Sequence, residues 1–387
     1  MKKTVSLFIH CYPPARGGAE YLAEQIVEVF NQKFDVHIFT GRGETLDSYK
    51  TFDHYLPSES NPNIHRLELN QPLQRVFNKL LNKIIFVFGY FSPFYFGPVL
   101  KYSQKEIDII RQSNIIFGIA MPTKSFYDAY YYAHKFGKKL ILVPTYHNVN
   151  YYNHCGFFQQ AFNYATKVFY LTPFEKDQLL QNYYIDQKKL AQTTFCPFTE
   201  KQIEDQQKKL PSIIKKHQNN FKNKQITLGF IGQISLRKNL TVFRNYLDKY
   251  LPYWQKQKIK LNVLLAGTKT NSSPEVEKLL KNKNLKIIYD FTDAQKSDIY
   301  KKIDIFINPS EEESLSIVNF EALFYGCQLI IKSNSAFDSL SPPPPIYAAL
   351  NSLHQQIIKQ VTTPSTPDIT LLQKYSFDHF AKIVNSQ

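Results

Sequence analysis

Cysteine is scarce and scattered. The four residues, Cys11, Cys155, Cys196 and Cys327, contain no Cys-x-x-Cys pair. That spacing speaks against a zinc site and against a disulfide framework, and fits a reducing compartment. The first apolar stretch, after Met1-Lys2-Lys3, stops at Pro13-Pro14 and is too short for a signal peptide or a membrane span, so a cytoplasmic protein is expected. Acidic residues are in deficit, with 32 Asp+Glu against 47 Lys+Arg, a net charge of +15. A chain this basic can meet nucleic acid, an anionic membrane or small phosphorylated ligands. Its lysines are spread through the chain without a zinc-finger or aromatic RNA-binding motif, so no nucleic-acid partner is expected. There is no Gly-x-Gly-x-x-Gly fingerprint, hence no nicotinamide cofactor, and no clear Asp-x-Asp cluster. No repeat of solenoid period is found.

What is present suits packed cores. The 387 residues are 43% hydrophobic and 15% aromatic, enough for two domains. Short apolar strands alternate with helical patterns: Val5–His10, Asp35–Thr40, Ile64–Glu68, Asn114–Ala120, Lys139–Pro144, Lys167–Leu171 and Thr193–Pro197. The polar, lysine- and glutamine-rich stretch 199–225 reads as a solvated helix or a linker. A second alternation follows with Ile226–Ile231, Leu261–Ala266, Leu285–Tyr289, Asp304–Ile307 and Gln328–Lys332, and a last helix covers about Phe377–Val384. Such alternation predicts parallel sheets with helices on both faces, hence two Rossmann-like, doubly wound α/β domains facing a cleft. The expected boundaries are 1–198, 199–372 and a final helical segment 373–387 that crosses back to the first domain.

In parallel sheets ligands bind beyond the carboxyl ends of strands, and four stretches sit there. Gly17 and Gly18 follow the first strand and open the helix from Ala19 to Phe30, where an anion is favoured, although a tight turn explains them equally. His147 follows the strand ending at Pro144 and can bond a substrate hydroxyl, but His10 and His154 have similar local claims. Gly232-Gln233-Ile234-Ser235-Leu236-Arg237-Lys238 places a glycine and two cations after a strand, a pattern that clamps a diphosphate or forms a charged turn. Residues 308–327 run from a strand through an acidic loop into a helix with Ile317, Phe320 and Phe324 at helical spacing. Glu313 lies in that loop and Glu321 one turn into the helix, each able to accept from vicinal hydroxyls, although serine and glutamate favour any helix start. The basic, aromatic stretch 72–101 suits either an anionic membrane surface or a buried helical pair.

Together these stretches resemble the retaining GT-B glycosyltransferases of the GT4 family (glycosyltransferase group 1). Pro13-Pro14-Ala15-Arg16-Gly17-Gly18-Ala19-Glu20 is similar to the family's glycine-rich donor loop, and Glu313 to Gly326 is similar to its E-x7-E signature. Gly232 and Lys238 fall where the family has a glycine and its diphosphate-binding lysine. The resemblance implies a retaining, metal-independent, hexosyltransferase-type enzyme with no cofactor. It would take a nucleotide-diphosphate sugar as donor and a glycan or lipid-linked acceptor, in surface polysaccharide, lipopolysaccharide or glycolipid synthesis, at times on the cytoplasmic membrane face. It implies catalytic roles for Glu313, His147 and Lys238. Donor contacts would come from Gly17, Gly18, Gly232, Arg237, Lys238, Ser314, Leu315, Ser316, Ile317 and Glu321, with Glu313 toward the sugar and Glu321 toward the ribose. The chain departs from the pattern at Gln233, where arginine is usual, and at Ser314-Leu315-Ser316, where glycine is usual. These departures define the alternative expectation, a relative with weak or no catalysis that binds a nucleotide sugar or a partner.

Overall fold

The structure is a computed structural model. It describes residues 2–15, 17–76, 78, 97–146, 156–235, 238–268, 274–282, 284–289, 291–310, 313–333, 336–341, 343–363, 367 and 369–386. The chain divides into two compact units, Met1–Thr194 with Ala381–Gln387, and Phe195–Phe380.

The first unit holds a parallel sheet of strands β1 (Lys3–Phe8), β2 (Phe34–Thr40), β3 (Ile64–Arg66), β4 (Ile115–Ile119), β5 (Lys139–Val143), β6 (Lys167–Tyr170) and β7 (Leu190–Gln192). Their spatial order is β3-β2-β1-β4-β5-β6-β7, so the winding reverses between β1 and β4. Burial explains the composition: β4 is buried along its whole length, as a strand covered on both faces must be. Leu22, Ile26, Val29 and Phe30 recur at helical spacing in the helix Gly18–Asn31 and are all buried. Phe30 meets Phe117 of β4 edge-on at 5.0 Å. The helix Lys124–Phe136 starts where Thr123 accepts a hydrogen bond from the Phe126 N–H and stops at Gly137, whose φ is +61°.

One strand lies elsewhere than the sequence suggests. Thr193–Pro197 is β-branched and aromatic, yet the edge strand is Leu190–Gln192. The Thr193 N–H still reaches the Tyr170 carbonyl at 2.8 Å, but β6 ends there, and the Cys196 N–H bonds Tyr375 instead. Propensity cannot extend a strand past its partner.

The second unit repeats the plan with β8 (Gln225–Ile231), β9 (Lys260–Gly267), β10 (Leu285–Tyr289), β11 (Ile305–Asn308), β12 (Gln328–Lys332) and β13 (Ile346–Tyr347). The order is β10-β9-β8-β11-β12-β13, every pairing is parallel, and the winding reverses between β8 and β11. Two residues are too few to show periodicity, which hides β13 from the sequence. Residues 199–225 resolve as the helix Glu200–Lys222, started by a Thr199/Gln202 capping box and holding Pro211. It buries Ile203, Leu210 and His217. Asp304, 1% exposed, fixes this helix to the sheet. Its carboxylate accepts from the Thr227 N–H at 2.8 Å, from Asn220 at 2.8 Å and from His217 Nδ1 at 2.6 Å. A buried charge bonded three ways is held in place rather than repelled.

Of the stretch 72–101, the described part comprises the helix Gln71–Val76, Asn78 and residues 97–101; the rest lies outside the described residues. Among the described residues no helix is long and apolar enough to cross a membrane.

In the first unit Glu175, 1% exposed, ties together the segments after β5 and β6. It accepts from the Tyr146 and Leu171 N–H groups, each at 2.6 Å. Burial pushes its carboxyl up to about 7, against the pull of those two bonds. A carboxyl raised on folding stabilises fully below its ordinary value near 4.5 and loses that contribution as pH climbs through about 7. The melting temperature should therefore fall more steeply between about pH 5 and pH 8 in the parent chain than in Glu175→Gln; equal slopes would show that Glu175 does not titrate there.

Candidate functional site in the second unit

The polar groups of the second unit gather at the carboxyl ends of β8, β9 and β11. Gly232 follows β8 with φ +155°, and its N–H bonds the Ala266 carbonyl at 2.9 Å. Gly267 ends β9 with φ +157°, and a Cβ there would stand 1.6 Å from the Gly232 carbonyl oxygen. The two backbones touch because neither residue carries a side chain. A short loop beyond Gly232 then brings Lys238 to the strand edge.

β11 ends at Asn308, which organises the next loop. Its side-chain amide donates to Ser316 Oγ at 2.8 Å and to Asn319 Oδ1 at 2.9 Å, while its own oxygen accepts from the Ser310 N–H at 3.1 Å. Ser316 precedes the helix Ile317–Phe324 in the left-handed region, with φ +64°. Two buried polar atoms here have no hydrogen-bond partner, Ser310 Oγ and Asn319 Nδ2. Orphaned polar atoms beside a helix start are where a water or a ligand group is expected.

Lys238 and Glu313 meet: Nζ lies 2.5 Å from Oε1, with side chains 15% and 10% exposed. The sequence separates them by 75 positions and the sheet joins them. Glu321, on the helix, is bonded through Oε1 to Lys296 and through Oε2 to the Tyr300 hydroxyl at 2.8 Å. Burial first, and the Glu321 charge next, push the Tyr300 hydroxyl well above its ordinary range, so it stays a donor. Each carboxylate thus has a cation on one oxygen.

Of the residues singled out from the sequence, Gly232, Lys238, Glu313, Ser316 and Glu321 share this edge. Leu315 is 3% exposed and packs inward, Ser314 and Ile317 are half-buried, and Phe320 and Phe324 are buried. Gly17 and Gly18 belong to the first unit. A Cβ on Gly17 would lie 2.1 Å from Glu20 Oε2, whereas one on Gly18 would meet nothing within 4 Å. His147, His154, Cys155 and Arg237, with Glu311 and Glu312 of the acidic loop, lie outside the described residues. Sequence reasoning missed Lys296, Asn308, Asn319 and Gly267. A glycine closing the apolar run Leu261–Ala266 was a usable signal for Gly267, but nothing local marks Lys296 among so many lysines.

Residues 212–339, which contain this entire edge, match the family model described as Glycosyl transferases group 1. Within the second unit, this stretch is what the chain shares with group 1 glycosyltransferases. No curated protein matches the chain in sequence. Among solved structures, the chain is similar to α,α-trehalose-phosphate synthase (UDP-forming) from Burkholderia xenovorans in complex with glucose-6-phosphate. The identity is 8%, the match covers 100% of this chain and 99% of that one, and the TM-score is 0.65. Sucrose-phosphate synthase from Thermosynechococcus elongatus matches at 13% identity, 100% and 98% coverage and TM-score 0.63. HepE from Anabaena, in complex with UDP, matches at 11%, 99% and 98%, and 0.60. At such identities the likeness establishes the fold: two Rossmann-like domains of the GT-B type.

The contact between Gly232 and Gly267 gives a direct test of the edge. Gly267→Ala should lower stability by about 2–4 kcal/mol, read from denaturant unfolding, because its Cβ meets backbone rather than a mobile side chain. An unchanged midpoint would show that the two backbones are not in contact.

Proposed function

We propose that this protein transfers a sugar from a nucleotide-diphosphate sugar to an acceptor hydroxyl, with retention at the anomeric carbon. The Lys238–Glu313 pair, inside the stretch matched by the family model, carries the reading. The leaving group is a nucleoside diphosphate, so the main demand is a fixed positive charge where negative charge grows. Lys238 supplies that charge. Glu313 holds the ammonium in place, and its carboxylate faces the donor sugar in this reading. The orphaned Asn319 Nδ2 is a further donor at the same loop. Glu321, held by Lys296 and Tyr300, accepts from the ribose. We read the acceptor as a surface glycan or glycolipid; the net charge of +15 supports an acceptor that is anionic or presented on an anionic surface.

Lys238→Ala and Glu313→Gln should each cut transfer by about 10²–10³-fold while the melting temperature stays near that of the parent. The double variant should lose less than the product of the two losses, because the residues act as a pair. Near-parental transfer in both single variants would overturn the assignment.

The nucleotide can be found by mass action, since a ligand that binds the native state raises the melting temperature. Of UDP, GDP, ADP and dTDP, UDP should give the largest shift, in line with the two similar proteins whose descriptions name it. The Lys238→Ala variant should lose most of that shift. No shift with any of the four would count against a nucleotide-diphosphate donor.

A further inference from the structure

The edge of the second unit leaves one cluster of the first unit unexplained. We propose that His10, Cys11 and Glu20 form a binding site for a divalent transition-metal ion of the zinc class.

The topology brings the three together. His10 and Cys11 follow the end of β1, and the Pro13-Pro14 loop returns the chain so that Glu20 falls in the first turn of the helix Gly18–Asn31. One ligand atom from each lies within 4.8 Å of the others. All three residues are buried, at 5%, 0% and 8% exposure. His10 Nε2 is 3.1 Å from Glu20 Oε1. Two ligands bonded to a tetrahedral zinc at about 2.0–2.2 Å stand roughly 3.3 Å apart, so this pair already has nearly the required separation. The other imidazole nitrogen, Nδ1, is buried with no hydrogen-bond partner, so the ring is not committed to the protein on both sides.

The donor set decides the class of ion. Imidazole, thiolate and carboxylate together suit zinc or cobalt, whereas magnesium and calcium prefer oxygen alone. On binding, the Sγ proton of Cys11 passes to solvent, while His10 binds through Nε2 as a neutral imidazole that keeps its single N–H on Nδ1. Three protein ligands leave a fourth position for water. The Tyr49 hydroxyl donates to the His10 carbonyl at 2.6 Å and accepts from the Cys11 thiol at 3.7 Å, a bond that metal binding would replace. Gly41 and Gly43 make room for Tyr49, because a Cβ on either would come within 2.7 Å of its ring or hydroxyl. The ion would pin the loop between β1 and the first helix. That loop leads into Gly17 and Gly18, whereas the proposed function rests on Lys238 and Glu313, so the two readings are tested by different variants.

The test uses the full chain after chelator treatment, titrated with Co²⁺. A thiolate-to-cobalt charge-transfer band in the near ultraviolet should appear, saturate at about one ion per chain and be bleached by Zn²⁺. Cys11→Ser should abolish the band and Cys196→Ser should keep it. Glu20→Gln should weaken cobalt binding at least about tenfold. Absence of the band from the parent chain overturns the proposal whether or not Cys11→Ser folds. A band that survives in folded Cys11→Ser, checked by circular dichroism, overturns it too, because another cysteine then binds the metal.

Discussion

A parallel sheet places the carboxyl ends of all its strands along one edge, and the rest of this molecule depends on that constraint. The backbone groups left unpaired at that edge, and the helix starts that follow, need polar company. In the second unit the edge collects Gly232 and Lys238 after β8, Gly267 at the end of β9, and Asn308 at the end of β11 with Glu313 and Ser316 beyond it. The reversal of winding between β8 and β11 puts the segments from those two strands side by side. Lys238 and Glu313 meet as a consequence of topology, not of any local preference of their own segments.

Buried charge is handled differently at the two edges. At the amino end of β11, Asp304 accepts three hydrogen bonds and is satisfied within the fold, which marks it as structural. At the carboxyl end, the largely buried carboxylates of Glu313 and Glu321 are each paired with a lysine instead. The first unit has a supporting carboxylate of its own in Glu175, which joins two loops through backbone N–H groups.

Much of the architecture was legible in residue order. The β-branched and aliphatic runs Val5–Phe8, Ile226–Ile231 and Ile305–Ile307 are buried, as their composition requires, and the helices Gly18–Asn31 and Phe377–Asn385 fall within two residues of their apolar patterns. The exceptions have physical causes. Residues 193–197 have strand chemistry but no strand left to pair with, and β13 is two residues long. The stretch 199–225 was ambiguous because a solvated helix and a linker share a composition; its capping box and three buried residues make it helical.

By itself, the sequence determined the class of fold, the two-part organisation and the residue types at the strand ends, because hydrophobic period and glycine placement are local properties. It also placed Lys238, Glu313 and Glu321 at the strand ends as candidates. Only the tertiary structure decided which partners they have: Glu313 for Lys238 across 75 positions, and Lys296 with Tyr300 for Glu321. It alone revealed that His10, Cys11 and Glu20 converge. Ion pairs and ligand clusters depend on distances between segments, and those distances are fixed by strand order and packing, which no local pattern encodes.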